Sequence, residues 1–442
     1  MPPVPSGPDS AHPTRIVGQG WEDGCDNPPQ LWGTERSRFV VNLTGASSVD
    51  IACLEITDHS GCVEDHTGGL ACRQEATPYG DWAADGLYAE DSANVHLSHL
   101  NIHGLAAAGV RAGRLTDWTV EDVRIAGNGW VGWEGDIEGD DANSGTLTFR
   151  RWTVAWNGCG ETYPGGEPTG CWGQSAGGYG DGVGTGPTGG NWVIEDSTFL
   201  RNTSDGLDLL YHRLGGSITI RRTLAQGNAG DQIKTTGPTL IENLIAVSHC
   251  GFFDGKPFTH HVDNCRAGGS ALAFTLHPGD DVTVVNATVS GEGDCLVIAE
   301  CAEGENCDGS GSVLLRNSIF QGHPEFDGGG DTTCLAWMDL SGDLFAIDHA
   351  IIDGVKGTPD PCPPDSFCDV SPGLVNGDID DFDAHLTVGS PAIDAGTKET
   401  VPPDDFDGHP RDAQPDIGAY ERREGAPTSN VYLPLLARHR SP

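Results

Sequence analysis

A short phrase returns along this chain: an apolar residue, polar residues or asparagine, another apolar residue, then glycine or asparagine. It reads VHLSHLNIHG at 95–104, WTVEDVRIAGNG at 118–129, LTFRRWTVAWNG at 147–158 and WVIEDSTFLRN at 192–202. It continues as SITIRRTLAQGN at 217–228, PTLIENLIAVSH at 238–249, VTVVNATVSGEG at 282–293 and SVLLRNSIFQG at 312–322. The pieces alternate as strands do and are too short for helices. The anchors Leu97, Val120, Phe149, Ile194, Ile220 and Ile241 lie 23, 29, 45, 26 and 21 residues apart. A period in the low twenties, with loops inserted, is the signature of a β-helix coil. An antiparallel sandwich would need hairpin turns between neighbouring runs, not one phrase at one coil length.

The predicted fold is therefore all-β: a right-handed parallel β-helix, with each coil burying its inward Val, Ile, Leu or Phe against the coils above and below. The 64 glycines among 442 residues suit the many tight turns this requires. The expected organisation is an N-terminal cap at 1–37, the β-helix over 38–345, a C-terminal capping module at 346–423 and a disordered tail at 424–442. The largest insertion is 159–190, bracketed by Cys159 and Cys171.

The formal net charge of −41 disfavours nucleic acid and anionic membranes as partners and favours divalent cations. No apolar run is long enough to span a membrane. The 14 cysteines include close pairs at 62/72, 159/171, 250/265, 301/307 and 362/368, which suit local disulfides and an oxidising compartment. Structural zinc is the weaker reading because no CxxC pair occurs. Secretion or cell-surface display of a monomer is expected, although residues 1–20 lack the basic start and apolar run of a signal peptide.

Three consecutive coils carry GDGVG at 180–184, SDGLD at 204–208 and GDQIK at 230–234. Asp181, Asp205 and Asp231 are 24 and 26 residues apart, one coil each, and Val183, Leu207 and Ile233 keep the same spacing. Adjacent strands lie about 4.8 Å apart, so the aspartates are expected as a ladder on one outer face. Calcium would relieve their repulsion, with Asp181, Asp205, Asp208 and Asp231 as candidate ligands. Asp208 and Lys234 are also one coil apart. Lysine is scarce in this chain, and beside a cation it would lose its proton more readily and act as a general base. Arg213, Arg221 and Arg222 are candidates for binding substrate carboxylates. Tyr211, His212 and the tryptophans 130, 133, 156 and 172 are candidates for contacts to sugar rings.

The plain alternative is that Asp-Gly is a turn pair, that backbone amides satisfy the ladder, and that Asp208–Lys234 is a salt bridge. The acidic loop 133–145, with Glu134, Asp136, Glu138, Asp140 and Asp141, reads as a solvated loop or a second cation site. His260, His261, Asp263 and Cys265 carry no metal-binding spacing. Asn42, Asn202 and Asn286 head glycosylation sequons.

The segment 202–237, NTSDGLDLLYHRLGGSITIRRTLAQGNAGDQIKTTG, resembles the active-site coils of family 9 polysaccharide lyases. The resemblance implies that Asp205 and Asp208 form the calcium-binding word, Asp181 the upstream ligand and Lys234 the base. Ser204 stands where that family usually has an aspartate. SPAIDAGT at 390–397 and DFDGHPRDAQPDIGAYE at 405–421 resemble the choice-of-anchor module that follows β-helices in exported bacterial proteins. That resemblance implies a closing cap. The expected function is calcium-dependent β-elimination on an acidic, uronate-containing polysaccharide. The alternatives are a non-catalytic carbohydrate-binding protein and a glycoside hydrolase on the same scaffold.

Overall fold

The computed structural model describes residues 2–33, 37–60, 83–135, 137, 142–162, 165–174, 178–307, 310–340 and 344–423. The chain winds as a parallel β-helix whose coils stack into three faces. The anchors read from the sequence are direct partners: Leu97 faces Val120, Val120 faces Phe149, Phe149 faces Ile194, Ile194 faces Ile220 and Ile220 faces Ile241. All six are fully buried and form one continuous stack inside the first face. Each such apolar side chain contributes about 1.5–3 kcal/mol of hydrophobic stabilisation. Early coils run the first and second faces as single long strands, Ala93–His103 and Thr116–Ala126. Later coils divide them, as in Ser144–Arg150 and Thr153–Ala155. The third face includes Val131–Glu134, Val183–Gly184, Leu207–Leu209, Ile233–Thr236 and Leu272–Leu276.

Between the first and second faces the chain turns through one left-handed residue per coil: Arg151, Asp196, Arg222, Asn243, Asn286 and Asn317. Asparagine and aspartate tolerate that conformation best, which explains the asparagine in the middle of the repeated phrase. Between the second and third faces runs a buried amide ladder. Asn128 Nδ2 donates to Asn157 Oδ1 at 3.0 Å, Asn157 to Asn202 at 2.9 Å, and Asn202 to Asn228 at 2.8 Å. Asn228 Nδ2 then meets Gln232 Oε1 at 2.8 Å, and Gln232 ends the ladder by bonding back to its own coil. The sequons at Asn202 and Asn286 are fully buried, so in the folded chain these side chains build structure.

The parallel stack extends past both expected boundaries. Thr14–Val17 pairs with the strand at Val49–Ala52, and Ile351–Asp353 and Phe367–Cys368 add further rungs after 345. The later C-terminal segment runs back along the flank of the solenoid. Asn243 Nδ2 donates to Asp404 O at 2.8 Å, Asn286 to Asp416 O at 2.9 Å and Asn317 to Thr397 O at 2.9 Å. Ile417, Leu386 and Ala392 cover Ile319 and Ile351, while Tyr420 and Ala419 cover Ile245 and Val247. The tail beyond 423 lies outside the described residues.

Four of the close cysteine pairs are bonded: 159–171, 250–265, 301–307 and 362–368. Cys62 and Cys72 lie outside the described residues. Cys25–Cys53 and Cys295–Cys334 are longer links that short spacing did not suggest. Cys295 and Cys334 are partners on neighbouring third-face strands, so the bond staples two coils. Among the described residues no helix is long and apolar enough to cross a membrane.

Candidate active site

The two Asp-Gly words are set by packing at the entry to the third face. A Cβ on Gly182 would lie 2.4 Å from Gly206 O, and one on Gly206 would lie 2.5 Å from Gln232 O. The amide ladder closes the same space, with Asn202 Nδ2 at 2.7 Å from the first position and Asn228 Nδ2 at 2.6 Å from the second. No side chain fits, so glycine is required, and each preceding aspartate is fixed in a column. Val183, Leu207 and Ile233 follow as direct partners, all fully buried.

The aspartates form the expected ladder, but inside the protein rather than on an open face. Asp181, Asp205 and Asp231 are only 3%, 1% and 2% exposed. Backbone amides of the next coil hold them: Asp205 N donates to Asp181 Oδ1 at 3.0 Å, Asp231 N to Asp205 Oδ1 at 2.7 Å, and Ser270 N to Asp231 Oδ1 at 2.8 Å. Burial follows from their position at the corner, where one carboxylate oxygen is turned along the stack to the next amide. The opening to solvent is one step further along the strands. There the outward column reads Arg111, Glu134, Gly184, Asp208, Lys234 and Ala273, each the partner of the next.

Lys234 joins the two columns. Its Nζ lies 3.0 Å from Asp205 Oδ2, 3.4 Å from Asp231 Oδ2 and 3.5 Å from Asp208 Oδ2. Burial opposes the charge on this ammonium, but Asp205, Asp208 and Asp231 outweigh burial and hold its pKa well above the ordinary lysine value. Three carboxylates surround it, and the expected readily deprotonated amine is one that stands beside a cation. Burial also raises the carboxylates, and Asp205 and Asp208 raise Asp181 further, well above the ordinary range. Burial lifts Asp208 to about 6 and Asp231 to about 7 against the pull of Lys234. Asp205 alone is lowered: burial raises it, and Lys234 more than compensates.

Asp181, Asp205 and Asp208 each offer an oxygen, all within 4.8 Å of one another. Gly184 lets the cluster draw close, since a Cβ there would lie 2.9 Å from Asp181 Oδ2. Buried like charges whose oxygens converge within 4.8 Å suit a hard cation with oxygen ligands. The residues present therefore fit calcium. Asp231 stands one coil further on, engaged with Ser270 and Lys234. Ser204 is buried beside Asp181, takes a hydrogen bond from Gln174 Nε2 at 3.1 Å, and bonds the Asp181 carboxylate.

The predicted substrate residues separate. Tyr211 is 46% exposed, and Arg213 is also exposed, on the loop that follows the third-face strand Leu207–Leu209. His212 is buried, its Nε2 2.8 Å from Gly190 O, so it pins that loop. Arg221 belongs to the first face, where it lies between Glu195 and Glu242 of adjacent coils. Arg222 is a corner residue paired with Asp196 and Asp404. Alternation places Arg221 on the outer surface of a different sheet, so neither arginine is brought to the ladder. Trp133 is a core residue packed edge-to-face among Trp118, Phe149 and Trp152. Trp172 is also buried, against His260 and His261. Glu134 is buried in the outward column, while Asp136, Glu138, Asp140 and Asp141 lie outside the described residues.

The sequence reading missed Arg266. Its amide donates to Ala229 O at 3.3 Å, next to the Gly230–Asp231 step, and its positive charge acts on Asp205. It arrives from the loop closed by Cys250–Cys265 and follows no coil spacing, so periodicity carried no signal for it.

No family model matches this chain, and no curated protein matches it. Among solved structures, the crystal structure of pectate lyase Pel9A matches with 14% sequence identity and a TM-score of 0.47, over 90% of this chain and 87% of that one.

Proposed function

We propose that this chain is a secreted, calcium-dependent lyase that cleaves an acidic, uronate-containing polysaccharide by β-elimination. The observation that carries this reading is the junction of the three-carboxylate cluster Asp181, Asp205 and Asp208 with Lys234 at the rim of the third face. Asp181, Asp205 and Asp208 would hold calcium, which would supply positive charge to attract a substrate carboxylate and acidify the proton α to it. Positive charge on those carboxylates would oppose the charge on Lys234 and free its amine to take that proton, and Arg266, whose charge acts on Asp205, would serve a second acidic group of the chain. The electron pair of the broken C–H bond forms the new double bond, and the glycosidic oxygen leaves with its bonding pair and takes a proton from solvent. Arg213 and Tyr211 border the site as contacts for neighbouring sugars.

The test is lyase activity on a panel of polyuronates, read by the near-ultraviolet absorbance of the unsaturated product, with and without calcium. Lys234→Ala should abolish product while leaving the circular dichroism spectrum unchanged. An unaltered rate in that variant rejects the mechanism. A second reading, a non-catalytic glycan-binding scaffold, is favoured by the backbone amides and ammonium that already satisfy the ladder. It predicts glycan binding without product on every substrate in the panel.

A further inference from the structure

A second cluster lies on other elements, at the ends of early second-face strands. His103 closes the strand Ala93–His103, His59 follows the strand Ser47–Thr57 one coil earlier, and Glu161 comes from the large insertion beside the Cys159–Cys171 bond. His103 Nδ1 lies 2.9 and 3.0 Å from the two Glu161 oxygens, and His59 Nδ1 lies 3.3 Å from Oε1. The three donor atoms fall within 4.8 Å of one another. We propose that His59, His103 and Glu161 form a zinc site that ties the insertion to the solenoid.

Three observations support it. Two imidazole nitrogens and a carboxylate oxygen are a zinc donor set, and a tetrahedral ion with bonds of about 2.0–2.1 Å holds its ligand atoms about 3.3 Å apart, the spacing of His59 Nδ1 from Glu161 Oε1, while His103 Nδ1 at 2.9 Å would draw back by a few tenths of an ångström. The second nitrogen of His103 is 2.8 Å from Glu55 Oε1, the outer carboxylate that orients a metal-binding imidazole and fixes which nitrogen faces the ion. Space for Glu161 is made by Gly104, where a Cβ would lie 2.3 Å from Oε1. The described cysteines are all in disulfides and do not compete for the metal.

The experiment uses the full chain without an affinity tag, stripped by chelator and dialysed against micromolar zinc with millimolar calcium present to fill the acidic ladder. Elemental analysis should find about one zinc per chain, and cobalt(II) in its place should give the visible absorption of a tetrahedral site. His59→Ala and Glu161→Gln should each lower zinc affinity at least tenfold, while Asp208→Asn keeps it. His59 lies at the edge of the cluster, so that variant keeps the test sound if a change at Glu161 disturbs folding. Zinc well below one per chain, or zinc retained in both variants, overturns the proposal and leaves shared protons as the occupants of the cluster.

Discussion

Asp208 and Lys234 are direct partners on adjacent third-face strands, yet the lysine lies closer to Asp205, at 3.0 Å against 3.5 Å. Its side chain crosses from the outward column to the buried one. One cation therefore serves carboxylates from two columns and two coils, and removing it leaves buried like charges facing one another.

Lys234→Met should lower the stability of the calcium-free protein by about 3–5 kcal/mol, the cost of leaving buried charge unpaired. Calcium should restore much of the loss, because an ion that binds only the folded state stabilises it by mass action, by about 2.7 kcal/mol at a hundred times its dissociation constant. Urea unfolding of both proteins with and without calcium measures this. Equal loss in both conditions would show that the carboxylates take up no cation.

Gly184→Ala places a methyl group 2.9 Å from Asp181 Oδ2 without a backbone penalty, since this glycine has no positive φ. Calcium affinity by titration calorimetry should fall roughly tenfold or more, the scale seen when groups around a metal site are disturbed. Unfolding of the calcium-free protein should change little. Unchanged affinity would show that Asp181 Oδ2 does not serve the ion.

Asn202→Ala interrupts the amide ladder at its centre. Asn202 Oδ1 accepts Asn157 N at 3.1 Å and Asn157 Nδ2 at 2.9 Å, and its own Nδ2 also reaches Val154 O at 3.2 Å. Each buried group left without a partner costs about 1–3 kcal/mol, so the variant should lose at least about 3 kcal/mol in chemical denaturation. A loss below about 1 kcal/mol would mean that water replaces the amide.

His385 should make the C-terminal segment sensitive to alkali. Burial disfavours its charge, but Asp383 at 2.6 Å and Asp407 at 3.4 Å raise its pKa to about 9, and its ring stacks on Tyr420. The folded pKa exceeds the unfolded value of about 6.5. The stabilisation is therefore complete below about pH 6.5 and disappears as pH rises through about 9. After solvent screening it is on the order of 1–2 kcal/mol. Limited proteolysis of the segment should quicken between pH 7 and 10 in the native chain. In His385→Phe that step should be absent, and its persistence would place the titration elsewhere.

The amino-acid order determined the coil. Leu97, Val120, Phe149, Ile194, Ile220 and Ile241 stack in the register their spacing implied, because a strand's period of two and a fixed coil length leave one way to bury them. The same arithmetic brought Asp181, Asp205, Asp208, Asp231 and Lys234 together, since each lies a fixed step from a stacked core residue. Depth and company were decided only in three dimensions. Whether an aspartate faces water depends on where the corner turns and which amide of the next coil meets it, and spacing does not encode either. Arg221 kept its coil but belonged to another face, and His59, Glu161 and Arg266 reached their places through loops and turns that obey no period. Periodic burial is a local property of the chain, whereas a site is a meeting of side chains from segments whose approach the whole fold sets.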